Sequence, residues 1–227
     1  MRAFDDHSPY DEARRRFLVR ALATGSLAVL PNLAQGQGVR EVSGRVWIDG
    51  ERATTASRVT PTSVVETSDN ARITFAINRD AFLVRANSHV HFSSSDNIVL
   101  RSARLLTGAL MGVFGSGDHT LESDHMTAGI RGTGVYLEAD RDQTYLCLCY
   151  GEGQAKLTDA RAPVVNFGEG IHQAYRFSSG VNENDLISQA GVENHSDDEL
   201  YMLEKFVGRT PPFPRGQYGY QVAESEG

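Results

Sequence analysis

The sequence predicts an all-β protein carrying one C-terminal α-helix. Three observations predict it. From Val39 onward apolar and polar residues alternate, the period of a strand with one buried face. Turn-forming residues interrupt that alternation at short, regular intervals, as they do in sandwiches and rolled sheets. Helical spacing with both a start and a stop signal occurs once, between Ser196 and Gly208.

The strands follow in chain order. Val42, Gly44, Val46 and Ile48 share one parity, Trp47 points the other way, and Asp49-Gly50 is a hairpin signal. Ser63 to Glu66 and Ala71 to Ile77 come next. In the second of these, Ile73, Phe75 and Ile77 alternate with Arg72, Thr74 and Ala76. Asn78-Arg79-Asp80 turns the chain and Ala81 to Arg85 returns it. Val90 with Phe92, Ile98 to Leu100, and Leu105-Leu106 continue the series. Ala109 to Phe114 is apolar enough for either element, but Gly108 and Gly112 disfavour a helix. Ile130 to Glu138 and Thr144 to Tyr150 are the last clear strands, with Gln154 to Leu157 as an extension.

Residues 160–194 are rich in Gly, Asn and Ser and read as a long irregular excursion. The helix follows. Ser196-Asp197-Asp198-Glu199 has the spacing of a capping box, and Asp197 and Asp198 suit the positive end of the helix dipole. Leu200, Leu203, Phe206 and Val207 form its apolar stripe. Gly208 and then Pro211-Pro212 end it, and residues 209–227 read as a disordered tail.

The N-terminus reads as an address. Arg14-Arg15-Arg16-Phe17-Leu18 precedes an apolar run, Ala21 to Leu30, of about ten residues, roughly half of a membrane span. Ala34 and Gly36 then suit a cleavage site near Gln37. Arg14, Arg15, Phe17 and Leu18 resemble the bacterial twin-arginine signal, which places the mature chain in the periplasm or outside the cell, without a stable membrane span after cleavage.

Composition narrows the function classes. A formal net charge of −7 gives no global attraction for nucleic acid. No nucleophile elbow, phosphate loop, dinucleotide fingerprint or paired-histidine protease motif occurs, so the reading is non-enzymatic. The sharpest chemical constellation is Cys147, Cys149, His172 and His195. Two thiolates at i and i+2 on one strand face reach a common soft metal, and two histidines complete a zinc, copper or iron set. Core packing of the cysteines is the alternative reading. A disulfide between them would close a very small ring and distort the strand. His89 and His91 also share a strand face, where a copper or zinc ion or plain solvent exposure explains them equally.

One stretch resembles a known family. Thr127-Ala128-Gly129-Ile130-Arg131-Gly132-Thr133-Gly134-Val135-Tyr136, followed by a polar turn and the strand Thr144 to Tyr150, is similar to the final hairpin of FecR-type domains. Gly44 to Gly50, Asn70 to Phe75, Arg79 to Arg85 and Leu105 to Leu110 resemble its earlier strands, in the family's order. Pro61, Thr62 and Ser68 depart from the glycine-bearing turns of the family. The resemblance implies a β-solenoid-like or rolled β-sandwich of short strands over residues 37–159, between a signal at 1–36 and a loop-plus-helix region at 160–208. Known members sense siderophore occupancy outside the inner membrane and relay it to a sigma-factor partner. No anti-sigma segment or second apolar span is read here, so the resemblance implies binding or sensing of an envelope protein or small ligand.

Overall fold

The computed structural model describes residues 38–158, 163–168, 170–179 and 186–215. Arg14, Arg15, Phe17, Leu18 and the expected cut near Gln37 lie outside the described residues. Fourteen strands form one hydrogen-bonded network that does not close into a barrel, with a single helix near the C-terminus among the described residues. They are β1 (Gly38–Ser43), β2 (Val46–Ile48), β3 (Glu51–Arg52), β4 (Val64–Thr67), β5 (Arg72–Ile77), β6 (Asp80–Val84) and β7 (His89–Ser93). Then come β8 (Ser102–Val113), β9 (Asp118–Glu122), β10 (Met126–Ala139), β11 (Gln143–Leu157), β12 (Val165–Phe167), β13 (Gln173–Ser178) and β14 (Ile187–Ala190), followed by helix α1 (Asp197–Phe206).

Local chemistry accounts for the turns. Asp49 and Gly50 both take positive φ, 53° and 81°, which closes a two-residue hairpin with Ile48 opposite Glu51. Asn78 does the same work between β5 and β6, where Ile77 faces Asp80. At the helix, the Ser196 amide donates to the Glu199 carboxylate at 3.0 Å, and the first turn is acidic.

Three long strands bend and change partners, which rolls the sheet. The first part of β8 lies between β7 and β9, and its second part between β6 and β10. Strand β10 leaves β9 for β8 across a bulge between Arg131 and Gly134. Strand β11 pairs with β13 through its first half and with β12 through its second. Gly108, Gly132 and Gly151 sit at these bends with φ of 87°, 58° and 96°, a region that only glycine enters without strain.

The roll has two apolar faces. Ile73, Phe75, Phe82, Leu105, Leu110, Val135, Leu137, Leu146 and Leu148 pack in its interior. The alternate residues of the same strands, among them Leu83, Met111, Val113, Tyr136, Tyr145, Cys147 and Cys149, pack on the other face beneath Leu200, Leu203 and Phe213. Helix α1 therefore covers a second, smaller core, and the strands under it are buried on both sides. That is why Ala109 to Phe114 reads as an uninterrupted apolar run.

Three expectations are corrected and one strand is added. Ile98 to Leu100 is not a strand: the Asp96 carboxylate accepts the Ile98 and Val99 amides, each at 3.0 Å, and folds the segment into a turn. Strand β9 was not visible in the sequence pattern because it is short and polar. Residues 160–194 are not simply irregular, since β12, β13 and β14 lie within them. These strands show few apolar residues because β13 buries only Ala174 and Phe177 and β14 buries none. Residues 209–215 are folded against α1 rather than forming a tail: Phe213 is buried and Arg209 donates to Glu204 at 2.5 Å.

Candidate metal centre

Strand alternation sends Cys147 and Cys149 to the face beneath α1, while Leu148 between them points to the interior. Their sulfurs are 4.0 Å apart and both thiols are free. His172 arrives from the turn before β13. Its left-handed backbone, φ 53°, and the bond from its amide to the Cys149 carbonyl (3.1 Å) hold that turn against β11. His195 arrives from the residue preceding the Ser196 cap of α1 and stacks on Tyr136, ring centroids 4.7 Å apart. Three separate chain segments thus supply four donor atoms that all lie within 4.8 Å of one another.

The hydrogen bonds orient both rings. His195 Nδ1 lies 2.5 Å from the Glu193 carbonyl, which only accepts, so the proton sits on Nδ1 and Nε2 presents a lone pair. That Nε2 is 3.5 Å from Cys149 Sγ. His172 Nε2 donates to Asp197 Oδ1 at 2.9 Å, leaving Nδ1 3.8 Å from Cys147 Sγ. Each ring therefore spends its far nitrogen on an acceptor and turns its near nitrogen to a sulfur, the arrangement found around metal-ligating histidines.

The distances discriminate further. Tetrahedral zinc, with Zn–S of about 2.3 Å and Zn–N of about 2.0–2.1 Å, separates two sulfurs by about 3.8 Å and a sulfur from a nitrogen by about 3.6 Å. The 4.0 Å between the sulfurs, and the 3.5 and 3.8 Å from sulfur to nitrogen, lie close to that frame, while the full set of donors spreads to 4.8 Å, so a bound ion would draw the widest pair inward by about 1 Å. Two thiolates also neutralise a divalent ion, which removes the penalty of burying its charge. The donor set suits zinc over harder metals.

Electrostatics describe the protein's own groups. Burial opposes ionisation of Cys147, but its polar contacts with Cys149, His172 and His195 outweigh it and hold this thiol well below the usual range. Burial, with the Cys147 charge beside it, pushes Cys149 well up. Burial acts to lower His172, yet Cys147 and Asp197 raise it. A divalent cation between the two sulfurs would favour the thiolate form of both.

Cys147, His172 and Asp197 also line up as thiol, imidazole and carboxylate, the order of a cysteine nucleophile. Cys147 and Cys149 are both 0% exposed, so no substrate atom reaches either sulfur.

Asp197 is the member that sequence reasoning missed, having been read only as a charge at the helix start. A signal was present: Asp197, Leu200, Leu203 and Glu204 fall on one helix face, and all four are buried. A carboxylate in phase with an apolar stripe requires a partner. The FecR-like residues lie elsewhere, at the β10 bend. Gly129 is on the strand before it, Arg131 pairs with Asp118 at 2.6 Å on the surface, Gly132 takes the positive φ, and Thr133 is fully buried. A Cβ on Gly134 would lie only 2.3 Å from the edge of the Tyr150 ring. The Tyr150 hydroxyl in turn donates to Glu204 of α1, so this motif shapes the floor on which the helix rests.

No family model and no curated protein matches this chain. It is similar to two crystal structures described as a "putative anti-sigma factor" from Parabacteroides distasonis ATCC 8503. The first is 7% identical with a TM-score of 0.47, covering 62% of this chain and 64% of that one. The second is 6% identical with a TM-score of 0.48, covering 70% of this chain and 82% of that one. No described helix is long and apolar enough to cross a membrane.

Proposed function

We propose that this protein is a zinc-stabilised, non-catalytic binding module of the bacterial envelope. The observation that carries the metal reading is the convergence of Cys147, Cys149, His172 and His195 within 4.8 Å, from three chain segments, with both imidazoles oriented. Four protein ligands close the coordination sphere, the mark of a structural rather than a catalytic site. Its role is to fasten α1 and the turn before β13 to β11, completing the second core. Elemental analysis of protein purified through its native route tests this. One zinc per chain, lost when Cys147→Ser and Cys149→Ser are combined, supports the reading. Substoichiometric zinc, copper and iron, unchanged in that double variant, refutes it.

The binding role and the envelope location rest on sequence. The FecR-like strand series supports a module that recognises an envelope protein or a small ligand. Arg14, Arg15, Phe17 and Leu18 support export. Replacing Arg14→Lys and Arg15→Lys together should retain the chain in the cytoplasm on cell fractionation. Capture from envelope extract should recover a reproducible partner or ligand, and failure to do so would count against recognition.

A further inference from the structure

A second pair of donors lies apart from the metal centre. Strand β7 alternates His89, Val90, His91 and Phe92. Val90 and Phe92 enter the interior core, and the two histidines stand half-buried on the opposite face. Strand β7 is paired on both sides: Glu66 of β4 lies opposite His89, and Arg104 of β8 opposite His91. The backbone under both rings is therefore fixed, as a ligand pair requires.

Their Nε2 atoms are 2.8 Å apart. A single ion with metal–nitrogen distances of about 2.0–2.1 Å separates two nitrogens by about 3.4 Å in a tetrahedron but by about 2.9 Å at a right angle. The 2.8 Å separation is thus close to a right-angle bite. Right angles with imidazole donors occur in tetragonal copper(II) and nickel(II) and in octahedral sites, and among these ions copper(II) heads the affinity order. We propose that His89 and His91 form a second, open metal site whose natural ion class is tetragonal copper(II).

Three neighbouring features suit the site. Glu66 Oε1 lies 3.7 Å from His89 Nδ1, the nitrogen turned away from His91, where a carboxylate orients a ligating ring. Arg104, the cation nearest His91, is offset by Glu122 at 3.8 Å and Asp124 at 3.0 Å. An open groove of about 560 Å³ lined by Trp47, Glu66, His89 and Thr107 adjoins the His89 side of the pair. A plain hydrogen bond between two neutral imidazoles accounts for the 2.8 Å contact equally well, and metal uptake separates the two readings.

The test is a copper(II) titration of the full chain, followed by electron paramagnetic resonance and visible absorption. One equivalent should give a tetragonal signal with coupling to two imidazole nitrogens and no thiolate charge-transfer band. His89→Asn or His91→Asn should weaken binding about 10–100-fold. Glu66→Gln, a surface change outside the pair, should weaken it several-fold and guards against a histidine variant that fails to fold. Copper that binds with unchanged affinity in all three variants, a thiolate band from the first equivalent, or no uptake at micromolar copper would each overturn the proposal. A thiolate band would also report copper at the cysteine centre, whereas the other outcomes leave the zinc reading to elemental analysis.

Discussion

His172 and Asp197 form a hydrogen-bonded pair sealed from solvent: Nε2 and Oδ1 are 2.9 Å apart and the side chains are 1% and 2% exposed. One partner comes from the turn before β13 and the other from the first turn of α1. The bond joins helix placement to ring orientation, so a change at either residue should register at the metal.

Replacing Asp197→Asn leaves a helix-compatible residue but removes the carboxylate that fixes the His172 ring. Zinc affinity should fall about 10–100-fold, while far-ultraviolet circular dichroism stays close to the parent. Competition against a chromophoric chelator measures the first quantity. An unchanged affinity would mean that His172 is not a ligand.

Stripping the metal should loosen α1 before the rolled sheet. At a thousandfold excess of zinc over its dissociation constant, binding adds about 4 kcal/mol to stability. For a chain of this size, that corresponds to a fall of about 8–16 °C in Tm on chelation. Amide exchange should rise first in α1 and in the turn before β13, where the ligands come from separate segments, and last in β5, β6 and β8.

Gly134→Ala should cost about 1–3 kcal/mol by overpacking, because the Tyr150 ring occupies the space a Cβ needs. That ring cannot simply swing away, since its hydroxyl is tied to Glu204 and Glu204 to Arg209. Urea denaturation measures the loss. Metal content should remain, which distinguishes this floor residue from a ligand.

Acid should open the Asp96 turn. Hydrogen bonds from the Val99 and Ile98 amides, then from Ser94, hold this carboxyl at about 2, below its ordinary 3.8. A depressed carboxyl stabilises above its unfolded value, so the turn is at full strength above about pH 4 and weakens as pH falls toward 2. Asp96→Asn should abolish that pH dependence of the Ile98 and Val99 amide resonances.

How much was legible follows from where each signal resides. Asp49-Gly50, the Ser196-to-Glu199 cap and the i, i+2 cysteines are local patterns, and the structure keeps each of them. His172 and His195 were legible as residue types, but the sequence holds no distance between them, since a rolled sheet sets it. Asp197 was hidden by a sufficient local explanation, the helix dipole, although its phase with Leu200 and Leu203 pointed inward. Strand β13 escaped notice because it pairs with the long, buried β11 and buries only two side chains of its own, and β14 because it is an edge strand on β13 that buries none.

X-ray absorption at the zinc edge of the purified full chain tests the four-ligand centre most directly. The expected first shell is two sulfurs at about 2.3 Å and two imidazole nitrogens at about 2.0–2.1 Å. A shell of oxygen and nitrogen alone, or no bound zinc in protein that folds with α1 in place, would contradict it.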